Sequence, residues 1–316
     1  MVTARHAPMV LLAAYQGEKY LPEQLSSLQA QTISFTALLR DDGSKDATRS
    51  LLTSIAESDS RFRMSASSGQ HLGAVGAFRA LIREAALSGR DTALCDQDDI
   101  WHPEKLHVLQ NALAAAEAQY GTDTPLLVHC DGRVIDAQGN VLFESFRRHQ
   151  GWSTSAVSLS QLLVQNNVTG CMLMMNAPLC RLCAEHMPES GVFMHDWFIA
   201  LTAAAFGHVI PVDRQLVDYR QHGSNVMGAS NGGLMRRAWQ AFRQPGRIRK
   251  RLQLSYDNAA MIQAAYGLEL PKDAQQIIGN FLSIPSARKF KRIRLLIQGD
   301  FLMQSTLTRI AALLFA

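Results

Sequence analysis

The 316-residue sequence lacks long apolar runs, has only 18% charged residues and contains only five cysteines. No stretch reaches the roughly 18 consecutive apolar residues that a membrane-spanning helix needs. An odd number of cysteines argues against a disulfide framework. Residues 1–8 carry neither the apolar core nor the cleavage site of a secretory signal. Because 47% of the residues are hydrophobic, we expect a folded protein. Together these features indicate the cytoplasm as its expected location.

Acidic residues are scarce in the last third of the chain. Residues 219–316 contain 15 Lys and Arg but only 4 Asp and Glu, whereas residues 1–218 contain 16 and 23. The net charge of +4 therefore hides a basic region attached to a mildly acidic body. Such a region favours an anionic partner, for which nucleic acid and an anionic membrane surface are the candidates. The chain has no recognisable nucleic-acid-reading module, so we expect no nucleic-acid partner.

Within the basic region, residues 236–243 and 290–297 mix cations with aromatic and aliphatic residues. Basic helices with an apolar face are typical of membrane interfaces, where anionic lipid attracts them. An ordinary helical cap with a solvated basic face is the alternative. We expect peripheral association with the cytoplasmic face of the inner membrane through the C-terminal helices.

Short apolar runs alternate with helical patterns through the first two thirds of the sequence. Residues 9–14, 37–40 and 92–95 suit buried strands, and residues 20–31 and 73–86 have the periodicity of amphipathic helices. This alternation predicts an α/β fold with a mostly parallel central sheet flanked by helices. Glycines then mark a link into a basic helical segment. We therefore predict a domain over residues 1–225 and a basic helical extension over residues 226–316.

The sharpest local signal is the acidic cluster Asp96-Gln97-Asp98-Asp99 at the end of a predicted strand. Carboxylates in this arrangement can supply the oxygen ligands that Mg²⁺ or Mn²⁺ prefers. A cation there would neutralise charge that develops on a diphosphate leaving group. The alternative is a helix start, because acids are also favoured there. Three acids within four residues repel one another, which favours a cation or a base among them.

Two other polar motifs, residues 15–17 and 41–44, also follow predicted strands. Ligands of open α/β sheets bind outside the carboxyl ends of the strands, so we expect the three motifs to meet in one cleft. Asp42 could bind a base or ribose, or could belong to a turn with a helix cap. Asp196 could likewise cap a helix, and His222 could be a ligand or a structural histidine.

The order of the motifs resembles that of the inverting family 2 glycosyltransferases, which have a GT-A fold. The resemblance covers about residues 8–225 and is carried by residues 13–17, 41–48, 96–106, 169–171, 195–197 and 219–222. The Asp-Gln-Asp-Asp-Ile-Trp form of the acidic motif is most similar to the rhamnosyltransferase-type branch that builds bacterial surface polysaccharides.

This resemblance implies roles for the matching positions. Asp98 would bind Mg²⁺ or Mn²⁺, and His222 would contact the metal or the diphosphate. The positions that would hold the base, ribose or sugar of the donor are Ala14, Tyr15, Asp42 and Asp96.

The resemblance also implies a catalytic base. Asp196 matches the residue that takes the proton from the acceptor hydroxyl during single-displacement inversion. The family usually has Glu before this Asp, whereas this chain has His195, which could tune Asp196 or contact the acceptor. The segment with Asn166, Asn167 and Thr169 lines the acceptor side in the family.

The predicted function is therefore metal-dependent, inverting transfer of a sugar from a nucleotide diphosphate sugar to a saccharide hydroxyl. The resemblance favours dTDP-rhamnose as the donor and a lipid-linked saccharide as the acceptor in surface polysaccharide synthesis. A hexose or N-acetylhexosamine donor remains open. A non-catalytic nucleotide-sugar-binding protein is a further alternative, against which the intact Asp98, Asp196 and His222 argue.

Overall fold

The computed structural model describes residues 6–152, 157–222 and 245–303, together with Arg309. The predicted glycine-rich link and the basic segment 236–243 lie outside these residues. The first half of the chain alternates strands and helices as predicted. Its elements are β1 (Met9–Ala14), α1 (Leu21–Gln29), β2 (Thr36–Asp41), α2 (Thr48–Ser58), β3 (Phe62–Met64), α3 (Gly73–Ala86), β4 (Thr92–Cys95), β5 (Ile100–Trp101) and α4 (Lys105–Tyr120).

The second half begins with strands and ends in helices. Its elements are β6 (Leu126–Ile135), β7 (Val141–Phe143), α5 (Phe146–Gln150), α6 (Leu159–Val164), β8 (Leu173–Met175), α7 (Ala177–His186), α8 (His195–Phe206), β9 (His208–Arg220), α9 (Pro245–Tyr266), α10 (Lys272–Ser283) and α11 (Lys289–Gln298). A 3₁₀ turn, Gly170–Met172, precedes β8. None of the helices formed by the described residues is both long and apolar enough to cross a membrane.

One sheet runs through the described part of the molecule in the order β3-β2-β1-β4-β8-β6-β9-β5, with β7 paired to β6. The first four strands in this order are mutually parallel, as predicted. β8 is antiparallel to both of its neighbours, and β9 is parallel to β6. An apolar run as short as that of β8 carries no information about its direction, so only the pairing decides it.

Residues 209–212 and 216–219 each have the pattern of a short strand, but the structure has the single strand β9 across both. The exposed Asp213 and Arg214 interrupt the apolar pattern at this point. Pairing with β6 nevertheless continues across the interruption, through two register irregularities. Strand continuity here depends on the neighbouring strand rather than on local periodicity.

Apolar side chains cover both faces of the sheet, which gives two hydrophobic clusters. Within β1, Leu11 points into the cluster under α3, α7 and α8, whereas Val10 and Leu12 belong to the cluster on the opposite face. The alternation arises because successive side chains of a strand point to opposite faces. Burial on both faces explains the uninterrupted apolar sequence of β1.

The C-terminal helices α9 and α10 join the first of these clusters. The cluster contains Ile262 and Phe281, which are fully buried, together with residues of β1. Ser255 of α9 donates a hydrogen bond to the carbonyl of Val164 in α6 at 3.1 Å. These helices therefore share one core with the sheet, although the predicted division at residue 225 remains a prediction.

Candidate active site

A cleft of about 600 Å³ opens at the carboxyl ends of β1 and β4. Parallel strands end at the same edge of a sheet, so the loops that follow them come together there. The structure brings to this cleft every residue that was predicted to bind the donor or the metal or to act as the base. The predicted residues that line it are Ala14, Tyr15, Asp42, Asp96, Asp98, Asp196 and His222.

Gln97 joins the loop after β1 to the loop after β4. The Tyr15 backbone N–H donates to Gln97 Oε1 at 2.7 Å, and Gln97 Nε2 donates to the Tyr15 carbonyl at 3.0 Å. A Cβ atom at Gly17 would lie 2.3 Å from Gln97 Oε1, so a larger residue there would displace the Gln97 side chain. Gln97 was not among the predicted site residues, yet it sets the distance between the two loops.

The loop after β2 holds the loop after β1 from the other side. Ser44 Oγ accepts from the Gln16 N–H at 3.0 Å, and Thr48 Oγ1 accepts from the Gly17 N–H at 2.7 Å. Gln16 has a φ of 52°, an uncommon conformation for a residue other than glycine. The hydroxyl-rich motif at residues 41–48 thus fixes a constrained loop at the mouth of the cleft.

Asp42 is buried, and its carboxylate has several partners. It accepts from the backbone N–H groups of Leu72 and Gly73 at 2.8–3.1 Å and pairs with the buried Arg40. His71 Nδ1 lies 2.9 Å from the same carboxylate, and the His71 ring lies 4.3 Å from that of Tyr15. Asp42 therefore lines the cleft and holds the start of α3, whereas the hydrogen bond within the turn at residues 41–44 is accepted by Asp41 from the Ser44 N–H.

Two buried cations lie beneath the acidic cluster. Lys105 is fully buried, donates to the Cys171 carbonyl and lies 3.0 Å from the centroid of the Trp101 ring. Arg220 is also buried. Its side-chain Nε donates to the Asp98 carbonyl at 2.9 Å, and its backbone N–H donates to the Asp99 carboxylate at 3.0 Å. The Arg220 guanidinium also forms an ion pair with Glu23, and burial lowers the pKa of Lys105.

The carboxylates of the cluster have different environments. Burial and the neighbouring carboxylates raise the pKa of Asp96 well above its usual range. Burial, followed by the charge of Asp98, raises the pKa of Asp99 to about 7. Asp99 does not cap α4, which begins at Lys105, but accepts a hydrogen bond from the end of β9. Asp99 is thereby a structural residue that joins two elements of the sheet.

Asp98 and His222 form the pair best suited to a divalent cation. His222 Nε2 lies 2.7 Å from Asp98 Oδ2. Neighbouring ligands at the roughly 2.1 Å bond length of octahedral Mg²⁺ lie about 3 Å apart, so the two atoms could share one cation with little adjustment. The Tyr20 ring stacks on His222 with centroids 4.9 Å apart and holds the imidazole towards Asp98.

A second group, formed by Asp96, Asp99 and Cys171, has potential ligand atoms within 4.8 Å of one another. Burial raises the pKa of the Cys171 thiol well above its usual range, which keeps the sulfur protonated. Hard cations such as Mg²⁺ prefer oxygen to sulfur. The chemistry of this group therefore fits a divalent cation less well than the Asp98–His222 pair does.

Asp196 lies in the first turn of α8 with its carboxylate facing the cleft. The Gly170 N–H donates to one carboxylate oxygen at 3.2 Å, and Asn166 Nδ2 donates to the other at 3.1 Å. Burial raises the pKa of Asp196 to about 7 despite these hydrogen bonds. A carboxyl group with a pKa near the working pH is well suited to accept a proton.

Several residues of the cleft were not predicted as site residues. Lys19 and Tyr20 lie within three residues of the end of the first motif, so their positions could have been found from it. Gln97 also lines the cleft, and it lies within the acidic motif, where only the carboxylates were predicted as site residues. His71 and Phe78 line the cleft too, but no sequence signal marks them. Of the predicted acceptor-side segment, Thr169 lines the cleft, whereas Asn166 contacts Asp196.

The chain is similar to a transferase in sequence and to two proteins of known structure in fold. The dTDP-rhamnosyl transferase RfbG of Shigella flexneri is 25% identical over 243 residues, which cover 72% of this chain and 80% of RfbG. TarS of S. aureus in complex with UDP-GlcNAc superposes with a TM-score of 0.59 at 15% identity, over 98% of this chain and 89% of that chain. The mannosyltransferase PcManGT of Pyrobaculum calidifontis, in complex with GDP-Man and Mn²⁺, gives 0.50 at 15% identity, over 99% and 87%.

The two structural likenesses concern the fold, and they confirm the predicted GT-A type architecture. The family model "Glycosyl transferase family 2" matches residues 9–176, slightly more than half of the 316 residues. The matched segment includes the motifs after β1, β2 and β4, which line the cleft. The chain therefore belongs to glycosyl transferase family 2 and is a glycosyltransferase.

Proposed function

We propose that this glycosyltransferase moves a rhamnosyl group from dTDP-rhamnose to a hydroxyl of a lipid-linked saccharide, with inversion at the anomeric carbon and with the help of Mg²⁺ or Mn²⁺. The observation that carries the proposal is that a single cleft contains the Asp98–His222 pair and the buried carboxylate of Asp196. The Asp98–His222 pair suits a metal-bound diphosphate, and the Asp196 carboxylate suits the role of catalytic base.

The donor would lie along the edge of the sheet. Tyr15 and His71 offer ring faces for the base, next to the carboxylate of Asp42. The cation held by Asp98 and His222 would neutralise charge on the diphosphate. Lys19, whose side chain lines the same part of the cleft, would add a second positive charge there.

Asp196 would act on the acceptor. Its carboxylate takes the proton of the acceptor hydroxyl while that oxygen forms a bond to the anomeric carbon. The bond between the anomeric carbon and the diphosphate oxygen breaks, and the nucleoside diphosphate leaves with the bonding electrons. A single displacement of this kind inverts the anomeric carbon. The hydrogen bonds from Gly170 and Asn166 would hold the carboxylate in place for the transfer.

The choice of donor is supported by the name of the RfbG relative and by the form of the acidic motif. It can be tested with dTDP-rhamnose, UDP-GlcNAc, UDP-glucose, UDP-galactose and GDP-mannose. Release of nucleoside diphosphate is measured with Mg²⁺ or Mn²⁺, with and without EDTA, in the presence of a polyprenyl-diphosphate-linked N-acetylglucosamine. We expect the highest rate from dTDP-rhamnose, and EDTA should abolish it.

Asp98→Asn should remove metal-dependent turnover, because a neutral amide is a poorer ligand than a carboxylate. Asp123→Asn, an exposed change outside the cleft, is the matched control and should retain wild-type turnover. Absence of release from every donor would overturn the enzyme proposal. Turnover that is insensitive to EDTA and to Asp98→Asn would overturn metal dependence alone.

We also propose that α11 lies on an anionic membrane surface, where a lipid-linked acceptor would be found. Phe290 is 90% exposed and Ile297 is 54% exposed, although both are large and apolar. The cations Lys289, Lys291 and Arg294 are exposed on the same helix. Exposed apolar side chains next to cations match an interface of acyl chains and anionic headgroups.

This proposal can be tested by cosedimentation with phosphatidylglycerol vesicles and phosphatidylcholine vesicles. We expect binding to the anionic vesicles only, weakened by salt, because screening reduces the attraction. Phe290→Ser should lower the partition coefficient about tenfold, as loss of a buried Phe costs at least 1.5 kcal/mol. Leu268→Ser is the matched control, since Leu268 is 94% exposed but lies outside α11. Equal binding to both kinds of vesicle would contradict the proposal.

A further inference from the structure

His195 lies in the cleft beside Asp196, and the residue is only 4% exposed. Both nitrogens of its ring are buried and have no hydrogen-bond partner among the residues that the structure describes. A buried polar atom that lacks a partner destabilises the folded protein, and the His195 ring contains two such atoms. A binding site can retain such atoms because a ligand completes their hydrogen bonds.

The surroundings fix the ring in this state. The imidazole stacks on Phe78 of α3, with ring centroids 4.2 Å apart and an angle of 28° between the planes. A Cβ atom at Gly170 would lie 2.9 Å from His195 Nε2, so glycine leaves room beside this nitrogen. The N–H of the same Gly170 donates to Asp196. The imidazole nitrogen and the carboxylate therefore border one small residue that lines the cleft.

The chemistry of the ring indicates what kind of ligand it would take. Burial lowers the pKa of His195 to about 3, so the ring is neutral and has one donor and one acceptor nitrogen. A neutral ring gives no charge for a phosphate. Sugar hydroxyls both donate and accept, and they match such a ring. The apolar side chains of Phe78, Ala77 and Met194 line the same part of the cleft and would strengthen a hydrogen bond by excluding water.

We propose that His195 binds a hydroxyl of the sugar that lies against Asp196 during transfer. This inference rests on the proposed function, because it needs a sugar in the cleft. The hydroxyl can belong to the transferred sugar or to the acceptor saccharide. His195 would then be a sugar-binding residue that sets specificity, while Asp196 accepts the proton.

The test replaces His195 with Phe, which keeps an aromatic ring against Phe78 but removes both nitrogens. Replacing unpartnered buried nitrogens by carbon should leave the Tm unchanged or raise it by about 2 °C. Loss of the sugar hydrogen bond should lower kcat/KM about 10- to 100-fold. His208→Phe is the matched control, because exposed His208 also stacks on an aromatic ring, that of Tyr120 at 3.8 Å, but lies outside the cleft. We expect wild-type kcat/KM from it.

Two measurements distinguish the sources of the hydroxyl. If the transferred sugar supplies it, His195→Phe should weaken the calorimetric Kd for dTDP-rhamnose at least tenfold, while the Kd for dTDP stays unchanged. If the acceptor supplies it, both Kd values stay unchanged and the KM for the polyprenyl-linked acceptor rises. His195→Gln, which retains one donor and one acceptor, should recover part of the loss.

Wild-type kcat/KM and Kd values in His195→Phe would overturn the sugar-binding role while leaving the proposed function intact. A lower Tm with activity reduced only through loss of folded protein would assign a structural role instead. A wild-type protein without turnover or donor binding would overturn the proposed function, and the role of His195 with it. Each of these three outcomes therefore gives a different set of measurements.

Discussion

At the scale of the residue, the burial of Asp196 determines the pH range in which its carboxylate can accept a proton. Burial raises its carboxyl pKa to about 7, whereas hydrogen bonds from the Gly170 and Trp197 N–H groups and from the Asn166 side chain act in the opposite direction. The side chain therefore changes its protonation state near neutral pH. A base must be deprotonated to accept a proton, so its activity is lost as the pH falls through this value.

We expect kcat/KM of the wild-type enzyme to fall about tenfold per pH unit below about pH 7, as the fraction of deprotonated Asp196 decreases. Asp196→Asn should lower kcat about 10²- to 10⁴-fold, because it removes the base. Donor binding by Asp196→Asn should remain, as measured by calorimetry with the active nucleotide sugar. Wild-type turnover by Asp196→Asn would rule out its role as the base.

Tyr20 is a second residue whose contacts predict an effect, here on the proposed metal site. Its ring stacks on His222 and also lies 4.8 Å from the Arg220 guanidinium carbon. Tyr20→Leu should raise the Mn²⁺ concentration for half-maximal activity about 10- to 100-fold, since loss of residues that orient a metal ligand has effects of this size. Tyr20→Phe keeps the ring and should stay within about twofold of wild type. An equal loss in both variants would show that stacking is not the cause.

At the scale of the elements, the loops after β1 and β4 depend on each other through Gly17 and Gln97. A methyl group at Gly17 would overlap Gln97 Oε1, while the Gln97 amide makes two hydrogen bonds with the Tyr15 backbone. Gly17→Ala should therefore displace Gln97, misplace Tyr15 and weaken donor binding about tenfold, as measured by calorimetry.

The double variant Gly17→Ala/Gln97→Ala provides the control for this coupling. Gln97→Ala alone removes the two hydrogen bonds and leaves space for the added methyl group. The double variant should then bind the donor no more weakly than Gln97→Ala alone, so that the two effects are not additive. Additive losses would mean that Gly17 and Gln97 act independently.

At the scale of the whole molecule, the C-terminal helices are part of the hydrophobic core. Phe281 of α10 is fully buried, and its ring lies within 5 Å of those of Tyr256 and Phe301. The cluster to which it belongs extends to β1 at the centre of the sheet. Unfolding of α9 and α10 should therefore expose core residues of the catalytic part of the chain.

We expect Phe281→Ala to lower the free energy of unfolding by about 3–5 kcal/mol, because it leaves a cavity in a packed core. In urea, the loss of glycosyltransferase activity and the loss of helical circular dichroism should coincide at the same lowered midpoint. Leu268→Ala changes an exposed side chain and should leave the midpoint unchanged. Activity that survives beyond the dichroism transition would instead favour an independent domain over residues 1–225.

Local patterns of the sequence determined the parallel half of the sheet and the polar motifs after β1, β2 and β4 that meet in the cleft. Apolar strands end in polar loops, and parallel strands end at one edge, so Asp42, Asp98 and Tyr15 had to meet. Asp196 and His222 were assigned from their resemblance to a family, and the structure brings both to the same cleft. Their roles remain predictions that the experiments above can test.

Contacts between distant segments decided what the sequence pattern left open. The direction of β8 and the continuity of β9 depend on neighbouring strands, not on periodicity. The burial of Lys105 and Arg220 under the acidic cluster follows from the packing of α4 and β9 against it. Only the folded chain buries the nitrogens of His195 without a hydrogen-bond partner among the described residues, because that state depends on α3, α8 and the turn at Gly170 together.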